Sequence, residues 1–385
     1  MLTYNELVDL EHSLGEQIVL SVYINGEEKD PAKRKRWRID LRNSLDEIEP
    51  KLAGASHDER EGFRTSREKA QNQLASIRGL IKAPGWAGFF TNHTVHYFGP
   101  VPAPVPTVAM WTKGPCLTPY IRALKEARPV IVIVADSRKA RIFKYVERKA
   151  ELLETLRAEV HVEPPYHMSK PPRQGFHLGQ RGPTGADAVQ KDIREGTAHM
   201  LAEVAEKVAK RAGMDAWVVA GGIPNIALAL LDQLPNELTG RTVHADGLDV
   251  HATKAGVADA AREYASRLRD RVDLERVREA IEGAASDGLG SLGSVPTLRA
   301  LEQGRARDVY FTLAFLQKRP EDAESAVRLA LASRAQVEHV SGEAAAQLDE
   351  RGGIAARLRY ALPPAVAAQA VANPSRREGY PPPPP

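Results

Sequence analysis

The sequence predicts an α/β protein of three domains, and three patterns support this fold class. Residues Pro129 to Asp136, PVIVIVAD, form a β-branched run long enough for a fully buried central strand. Residues Ala186 to Arg211 carry apolar side chains at near three-to-four spacing, which predicts a long amphipathic helix. From Val295 onward, strands alternate with helices, as in α/β sandwiches. The 385 residues of the chain leave room for two or three domains.

The N-terminal domain is predicted over residues 1–126. Its predicted strands are Ile18 to Tyr23, Gly88 to Phe90 and Val95 to Phe98, and its predicted helices are Ala32 to Leu52 and His57 to Ile81. The segment GPVPAPVPTV has proline at every second or third position. Because proline fixes φ and lacks a backbone N–H, this segment is predicted to be extended and not helical.

The middle domain is predicted over residues 127–250. Its predicted strands are Pro129 to Asp136, Ala140 to Val146, Glu151 to Val162 and Ala216 to Ala220, and its predicted helices are Ala186 to Arg211 and Ile226 to Leu234. A Pro- and Gly-rich loop from Tyr166 leads into the first of these helices, and its tip carries Gly179 and Gln180. Loops of this length are uncommon inside a compact domain, so the loop is predicted to be functional or disordered.

The C-terminal domain is predicted over residues 251–362, and residues 363–385 are predicted to be a disordered, Pro-rich tail. Helix is predicted nearly continuously from His251 to Ala284. The further predicted helices are Val295 to Gln303, Asp322 to Ser333 and Gly342 to Glu350, and the predicted strands are Asp308 to Leu313, Gln336 to Val340 and Ile354 to Tyr360. The chain shows no internal repeat.

Composition excludes several classes of protein. No apolar run is long enough to span a membrane, and the N-terminus is acidic and polar where a signal peptide would be basic and then apolar, so a cytoplasmic protein is expected. A single cysteine, Cys116, allows no internal disulfide and is predicted to be a buried, inert thiol. No metal or other cofactor is predicted, because the spacing of His161, His167, His177 and His199 fits no regular zinc site.

Each of two glycine-rich segments can be interpreted as serving either a purely structural role or a functional one. Gly288 to Gly293 fits G-x-G-x-x-G, but a helix precedes it where a dinucleotide site needs a strand, so a flexible loop is predicted. Gly221 to Asn225 lies between a predicted strand and a predicted helix, where free N–H groups could hold an anion. A tight turn needs glycine for backbone reasons alone, and that interpretation is favoured.

Basic residues cluster at two places, although the formal net charge is only +3. One cluster comprises Lys33, Arg34, Lys35, Arg36 and Arg38, and the other comprises Lys170, Arg173 and Arg181 in the loop, beside His177. A solvated helix face is the ordinary interpretation of such a run. At the loop tip, the backbone amide of Gly179 or Gln180 could stabilise negative charge on a reacting carbonyl, or the loop could simply contact RNA phosphates.

The order of these segments resembles the archaeo-eukaryotic class I release factors and Pelota, and more closely the bacterial branch of that superfamily. The resemblance lies in PVIVIVADSRKARIFKY, the loop HLGQ before a long helix, AWVVAGG, TLRALEQG leading into DVYFTL, and GGIAARLRY. Together these segments cover roughly Arg128 to Leu362. The resemblance implies a ribonuclease H-like middle domain and a C-terminal domain like the kink-turn RNA-binding ribosomal proteins.

The chain departs from that superfamily at two places. Leu178 stands where the catalytic loop Gly-Gly-Gln has its first glycine, and a residue with a Cβ adopts glycine-like conformations only at a cost of about 1–3 kcal/mol. The Asn-Ile-Lys-Ser and Tyr-x-Cys-x-x-x-Phe signatures of stop-codon reading are missing from the N-terminal domain. These departures resemble Pelota-like rescue factors and Balon-type hibernation factors, which act without a stop codon.

The resemblance implies a ribosome-binding factor that occupies the A site in hibernation or rescue, with Lys33, Arg34, Lys35, Arg36, Arg38, Lys170, Arg173, His177 and Arg181 on rRNA. Such binding would use phosphates and carry no sequence information. Two alternatives stay open: a factor that hydrolyses peptidyl-tRNA through Gly179 and Gln180, and an RNA-binding or interaction module unconnected to the ribosome. A translational GTPase is a possible partner. No membrane or DNA partner is expected, and a monomer is predicted.

Overall fold

The computed structural model describes residues 1–27, 36–77, 81–146, 148–159, 185–213, 216–286 and 288–361. It confirms the α/β class: three β-sheets of four, five and four strands are accompanied by helices. Packing divides the chain into two units, residues 1–125 with residues from 273 onward, and residues 126–272. We call residues 1–125 and 273–361 the N-terminal and C-terminal modules of the first unit, and residues 126–272 the second unit. The three-domain division stays a prediction.

The N-terminal module contains an antiparallel sheet of order β3-β2-β1-β4. Its strands are β1 (Ile18–Asn25), β2 (Gly85–Phe90), β3 (Val95–Val101) and β4 (Val108–Lys113). Its helices are α1 (Tyr4–Leu14), α2 (Trp37–Asp46), a 3-10 turn (Glu49–Leu52), α3 (His57–Ala75) and α4 (Thr118–Glu126), the last reaching the start of the second unit. Of these, α1, β4 and α4 are absent from the sequence-based expectations.

Proline explains the main difference in this module. The helix predicted over Ala32 to Leu52 is interrupted: α2 ends at Asp46, and a 3-10 turn containing Pro50 follows. Pro50 has no N–H to donate and its ring clashes with the preceding helical turn, so a continuous helix cannot pass through it. The Pro-rich segment after Val101 contains no helix before β4 begins at Val108, as predicted.

The second unit contains a five-stranded sheet of order β7-β6-β5-β8-β9. Its strands are β5 (Val130–Ala135), β6 (Lys139–Val146), β7 (Lys149–Arg157), β8 (Trp217–Gly222) and β9 (Thr242–His244). Its helices are α5 (Gly185–Ala212), α6 (Pro224–Leu231), α7 (Asn236–Thr239) and the first part of α8 (Lys254–Ala285). β5 pairs antiparallel with β6 and parallel with β8, and all six of its residues are buried, which confirms the predicted central strand.

The two faces of β5 serve two separate cores, because successive side chains of a strand point to opposite faces. Ile131 and Ile133 face a core that includes the apolar stripe of α5. Val132 and Val134 face a second core that includes the first part of α8. The C-terminal part of the stripe predicted for α5 is confirmed, because Leu201, Val204, Ala205 and Val208 lie in that core. The prediction is wrong at Ala198, which is exposed, while Met200 is buried in the core instead.

The C-terminal module contains a mixed sheet of order β10-β13-β11-β12, with β11 parallel to β12 and antiparallel to β13. Its strands are β10 (Gly290–Leu292), β11 (Ala306–Phe311), β12 (Gln336–His339) and β13 (Ile354–Leu358). Its helices are the end of α8, α9 (Ser294–Glu302), α10 (Leu313–Lys318), α11 (Pro320–Ala332) and α12 (Gly342–Asp349). The flexible loop predicted for Gly288 to Gly293 is wrong, since β10 lies within it and pairs with β13.

The two modules of the first unit pack closely through α11. Arg328 donates to the Glu11 carboxylate at 3.1 Å and to the Gly15 carbonyl at 2.6 Å. Burial raises the pKa of Glu11, and the hydrogen bond from Arg328 opposes that rise. One turn earlier, Glu324 accepts from the Leu117 N–H at 2.7 Å, ahead of α4. The sequence gives no local signal for these contacts, because their partners lie more than two hundred residues apart.

None of the helices in the part of the chain that the structure describes is long and apolar enough to cross a membrane.

Candidate functional site

Most residues of the predicted site lie outside the described part of the chain. These are Lys33, Arg34, Lys35, Lys170, Arg173, His177, Gly179, Gln180 and Arg181. Arg36, Arg38 and the two ends of the loop are described, so the site can be built from its supports.

Arg36 and Arg38 stand at the start of α2 but have different surroundings. The Arg36 side chain is 63% exposed, and its Nε lies 3.6 Å from the Asp40 carboxylate one turn later. The Arg38 guanidinium lies 5.2 Å from the centre of the Trp37 ring and donates to the Ile77 carbonyl at 3.0 Å. Arg36 is therefore available to an anion, whereas Arg38 is held against its neighbours.

The start of α2 attracts anions more strongly than its two arginines alone would. A helix N-terminus carries a partial positive charge from its unpaired N–H groups, so cationic side chains there are mildly unfavourable within the protein. Arg36 itself occupies the capping position, and its side chain makes no cap hydrogen bond. Arginine charge and helix dipole both favour a negatively charged group at this position.

The loop with Gly179 and Gln180 joins β7 to α5, and the end of β7 and the middle of α5 are held by specific contacts. Ala158 donates its N–H to the Arg138 carbonyl at 2.8 Å. Thr197 on α5 is buried, and its hydroxyl hydrogen-bonds to the Ser137 carbonyl at 2.7 Å. Gly196 packs so closely that a Cβ there would lie 2.5 Å from the Glu159 carbonyl oxygen. These contacts fix the segment after β7 against the middle of α5.

Ion pairs between β7 and α5 strengthen this support. Glu154 on β7 accepts from Lys207 and from Arg211, the latter at 2.6 Å. These two hydrogen bonds hold the pKa of Glu154 below its usual range. The carboxylate is thus ionised at neutral pH, and the rear half of α5 is tied to the sheet by charge as well as by its apolar stripe.

An acidic face at the loop ends is a feature that the sequence analysis missed. A cleft in this region is lined by Glu159, Asp192, Glu195, His199 and Glu203, together with Arg157. The four α5 residues recur at spacings of three and four, and this periodicity is the signal that could have revealed a common face. Two of its carboxylates pair with lysines one turn away on α5, Glu195 with Lys191 and Glu203 with Lys207.

The glycine turn after β8 is structural. Gly222 has φ +105°, and a Cβ there would lie 2.1 Å from the Ala135 carbonyl oxygen. Its N–H donates to the Leu248 carbonyl at 2.8 Å, and the Ile223 N–H donates to the Ala135 carbonyl at 3.0 Å. Because these amides already have acceptors, the backbone interpretation of the turn is confirmed and they are not free to hold an anion.

Cys116 is buried, as predicted. Its thiol contacts the Glu324 carboxylate at 3.2 Å, and burial raises the pKa of the thiol well above its usual value. The thiolate is the nucleophilic form, so this cysteine is a poor nucleophile in the folded protein.

Among the described residues, no three His, Cys, Asp or Glu side chains are grouped so that they could hold a metal ion. Of the four histidines considered from the sequence, only His199 belongs to the described part, where it is exposed.

Residues 115–266 match the model of a family described as bacterial archaeo-eukaryotic release factor family 10. The match runs from just before α4 into α8, so it includes the whole five-stranded sheet and the loop with Gly179 and Gln180. It confirms the resemblance to the bacterial archaeo-eukaryotic release factors. No curated protein matches the chain.

Several solved structures are similar to this chain at low identity. S. cerevisiae Dom34, a translation termination-like factor interacting with Hbs1, is 14% identical over 61% of this chain and 64% of Dom34, with a TM-score of 0.43. Archaeoglobus fulgidus Pelota is 17% identical over 63% of this chain and 68% of Pelota, with a TM-score of 0.32. The archaeal termination factor aRF1 is 18% identical over 93% of this chain and 99% of aRF1, with a TM-score of 0.23. The chain spans slightly less than two thirds of Dom34.

Proposed function

We infer that this chain, whose residues 115–266 match a bacterial archaeo-eukaryotic release factor family, is a release-factor-like translation factor that binds the ribosome. That match carries the proposal, because it spans the domain that bears Gly179 and Gln180. In the proposed complex the protein occupies the A site. Its N-terminal domain faces the decoding centre, and the loop faces the peptidyl-transferase centre.

The charge distribution supports binding to ribosomal RNA. Arg36 is exposed at the N-terminus of α2, directly after Lys33, Arg34 and Lys35 in the sequence. The loop adds Lys170, Arg173, His177 and Arg181 beyond an acidic support. Cations at both places would contact phosphates, which gives affinity that falls with salt and carries no base specificity.

Action without a stop codon is the proposed mode, in hibernation or in rescue. The N-terminal domain has neither of the superfamily's two stop-codon signatures, and its one cysteine is buried. A factor that holds the A site without reading a codon suits a ribosome that is idle or stalled.

Peptidyl-tRNA hydrolysis is the second candidate, and the Gly179-Gln180 dipeptide favours it. In this mechanism the Gln180 amide would position water against the ester, and a backbone N–H would stabilise the oxyanion. Leu178 in place of the first glycine of Gly-Gly-Gln restricts the loop's backbone, which favours occupancy over hydrolysis. An RNA-binding or interaction module away from the ribosome is the third candidate.

Sedimentation of the purified chain with vacant bacterial ribosomes through a sucrose cushion tests the proposal. We expect co-pelleting that persists at physiological salt and that A-site tRNA competes away. Protein that stays in the supernatant at both low and physiological salt would contradict binding to vacant ribosomes.

A release assay on ribosomes loaded with peptidyl-tRNA separates the two ribosomal candidates. An occupant releases no peptide, and Gln180→Ala leaves its pelleting unchanged. A hydrolase releases peptide, and Gln180→Ala or Gly179→Ala abolishes release while pelleting persists. Leu178→Gly, which restores the Gly-Gly-Gln sequence, distinguishes a loop disabled by Leu178 from one that has no catalytic role, because only the former would gain release.

A translational GTPase is the proposed protein partner, in keeping with the superfamily resemblance. A factor that acts on bacterial ribosomes would work in the cytoplasm, and a monomer suffices to fill one A site.

A further inference from the structure

Two helices of the C-terminal module end in the same backbone arrangement. α9 is followed by Gly304 at φ +65°, with the next N–H, that of Arg305, bonded back to the Ala300 carbonyl at 2.9 Å. α11 is followed by Arg334 at φ +54°, with the Ala335 N–H bonded back to the Ala330 carbonyl at 2.8 Å. Glycine is strongly favoured at the left-handed position of such a helix ending.

Arg334 is therefore an unexpected residue for its position. A side chain in left-handed backbone is disfavoured relative to glycine, and the equivalent position after α9 is occupied by glycine. Arg334 is exposed, and Arg148 is the only other non-glycine residue with positive φ in the described part of the chain. When a residue occupies a backbone conformation that disfavours it, a functional role for its side chain can explain why it is there.

Arg359 joins the two helix ends. Its guanidinium donates to the Ser333 carbonyl at 3.0 Å and lies 3.4 Å from the Arg334 carbonyl, and its other nitrogen reaches the Gly304 carbonyl at 3.5 Å. Carbonyls at helix C-termini carry partial negative charge, so this position suits a cation. The contact brings Arg334 and Arg359 to one place on the surface.

Arg305 and Tyr360 complete the group. Arg305 is buried, and its guanidinium carbon lies 5.9 Å from the centre of the Tyr360 ring. The Nε of Arg305 has no hydrogen-bond partner in the described structure. Tyr360 is 52% exposed, which is high for an aromatic side chain that rests on a buried cation. We call Arg305, Arg334, Arg359 and Tyr360 the arginine surface.

The arginine surface differs from the rest of its module in having no carboxylate partner. Among the described residues, no Asp or Glu forms an ion pair with Arg305, Arg334 or Arg359. Elsewhere in the module, arginines pair with acids: Arg276 with Glu338, Arg278 with Glu343, Arg319 with Asp322, Arg351 with Glu350 and Arg357 with Glu279. No described carboxylate neutralises the cations here, although backbone carbonyls accept hydrogen bonds from Arg359, so the charge of this surface can attract an external anion.

We propose that the arginine surface binds single-stranded RNA, with phosphates on Arg334 and Arg359 and a base stacked on Tyr360. Exposed arginines beside an exposed aromatic ring are the combination that single-stranded nucleic acid requires. An acidic peptide would use the arginines but would gain less from the ring, so RNA is the better fit. The identification of this RNA as ribosomal rests on the proposed function, whereas the surface itself does not.

Fluorescence anisotropy of the full chain with a fluorescein-labelled oligouridylate tests the surface. We expect Arg334→Gly to weaken binding about threefold to tenfold, and to lower the slope of log affinity against log salt by about 0.7, the value for one phosphate contact on a single strand. Arg334→Lys keeps the charge and is expected to bind within about twofold of wild type. Tyr360→Ala is expected to weaken binding about tenfold, and Tyr360→Phe to have little effect.

Stability measurements separate binding from folding. Arg334→Gly relieves a left-handed side chain, so its melting temperature should equal or exceed that of wild type even though its RNA affinity falls. Arg351→Ala removes an exposed arginine that has a carboxylate partner and should leave affinity unchanged. Wild-type affinity in both Arg334→Gly and Tyr360→Ala would overturn the proposal. So would displacement of the RNA from wild type and Tyr360→Ala alike by oligoglutamate, since the partner would then be an acidic peptide.

Ribosome sedimentation of the same variants keeps this inference distinct from the proposed function. If wild type pellets with ribosomes and Arg334→Gly pellets less, the RNA is ribosomal. If the variants lose oligouridylate and wild type does not pellet, the arginine surface stands and the ribosomal proposal fails. If wild type pellets and the variants behave like it in both assays, the arginine surface is refuted alone.

Discussion

Lys125 and Asp273 form a buried ion pair between the two modules of the first unit. The Lys125 ammonium lies 2.7 and 2.8 Å from the two Asp273 carboxylate oxygens and also donates to the His339 carbonyl at 2.6 Å. Only 7% of the Lys125 side chain and 2% of the Asp273 side chain are exposed. Burial raises the pKa of Asp273, and the charge of Lys125 opposes that rise. The pair therefore joins α4 to α8 where water cannot replace either partner.

Lys125→Met should destabilise the protein strongly. Removing one partner leaves the Asp273 charge buried without its cation, and such changes cost about 3–5 kcal/mol of unfolding free energy. Lys113→Met is the matched control, because Lys113 pairs with Glu16 in a contact whose side chains are 59% and 88% exposed. The control should cost less than about 1 kcal/mol in urea unfolding. Equal losses in both variants would show that the buried pair has no special role.

Removing the unpaired Asp273 charge should recover part of the stability that Lys125→Met loses. Lys125 also lies 3.4 Å from the Glu338 carboxylate, which keeps Arg276 as a partner when Lys125 is lost. In Lys125→Met with Asp273→Asn the uncompensated Asp273 carboxylate is gone, so the double variant should be more stable than Lys125→Met alone. A double variant that is less stable than both single variants would argue against direct coupling between the two side chains.

His339 predicts a loss of stability in mild acid. Burial, together with the nearby Arg122 and Lys125 cations, lowers the pKa of His339 from 6.5 to about 4. The unfolded chain therefore binds the proton first, and the stability from a neutral His339 is present above pH 6.5 and is lost as the pH falls towards 4. The loss amounts to about 3 kcal/mol at most. His339→Gln should flatten this part of the stability profile, and an unchanged slope would exclude His339 as its source.

The boundary of the second unit predicts how the chain can be cut. A fragment ending at residue 250 omits Val257, Ala261, Ala265, Leu268 and Val272, which pack against the core on one face of β5. A fragment of residues 126–272 retains them. We expect the longer fragment to melt cooperatively and the shorter one to expose apolar surface and bind a hydrophobic dye. Equal melting of the two would support the boundary at residue 250 that the sequence suggests.

Sequence patterns predicted the elements whose burial is set locally. The β-branched run around Val132 gave β5, and the periodicity of residues such as Val204 and Val208 gave α5. α1 was missed although Thr3 and Glu6 form a capping box at its start, which is a local signal of a helix N-terminus. β10 was missed because three residues make a strand only when β13 supplies the partner. Long-range pairing of this kind leaves no local trace in the sequence.

The residue types of the candidate site could be predicted from the sequence, but the contacts that hold the neighbouring segments in place could not. Residue types identified the loop with Gly179 and Gln180 and its cations, since glycine, glutamine and basic side chains are visible in the sequence itself. The contacts of Gly196 with Glu159 and of Thr197 with Ser137 join segments separated by the whole loop. Only the folded chain shows that these residues fix the segment after β7 against α5.

Gly196→Ala tests that support, because the expected effect has the opposite sign to the usual one. Alanine in a helix is ordinarily more stable than glycine by about 0.5–1 kcal/mol. At Gly196 the new Cβ would lie 2.5 Å from the Glu159 carbonyl oxygen, so α5 or the end of the preceding segment must move. Moving packed backbone costs about 1–3 kcal/mol, which outweighs the helical gain. We therefore expect a lower melting temperature and, on the proposed function, weaker ribosome pelleting.

Gly256→Ala in the first turn of α8 is the control for this variant. Its Cβ would meet no atom closer than 3.7 Å, so its melting temperature should equal or exceed that of wild type. If both variants gain stability alike, Gly196 does not fix α5 against Glu159, and that support would rest on Thr197 and on the hydrogen bond from Ala158 to Arg138.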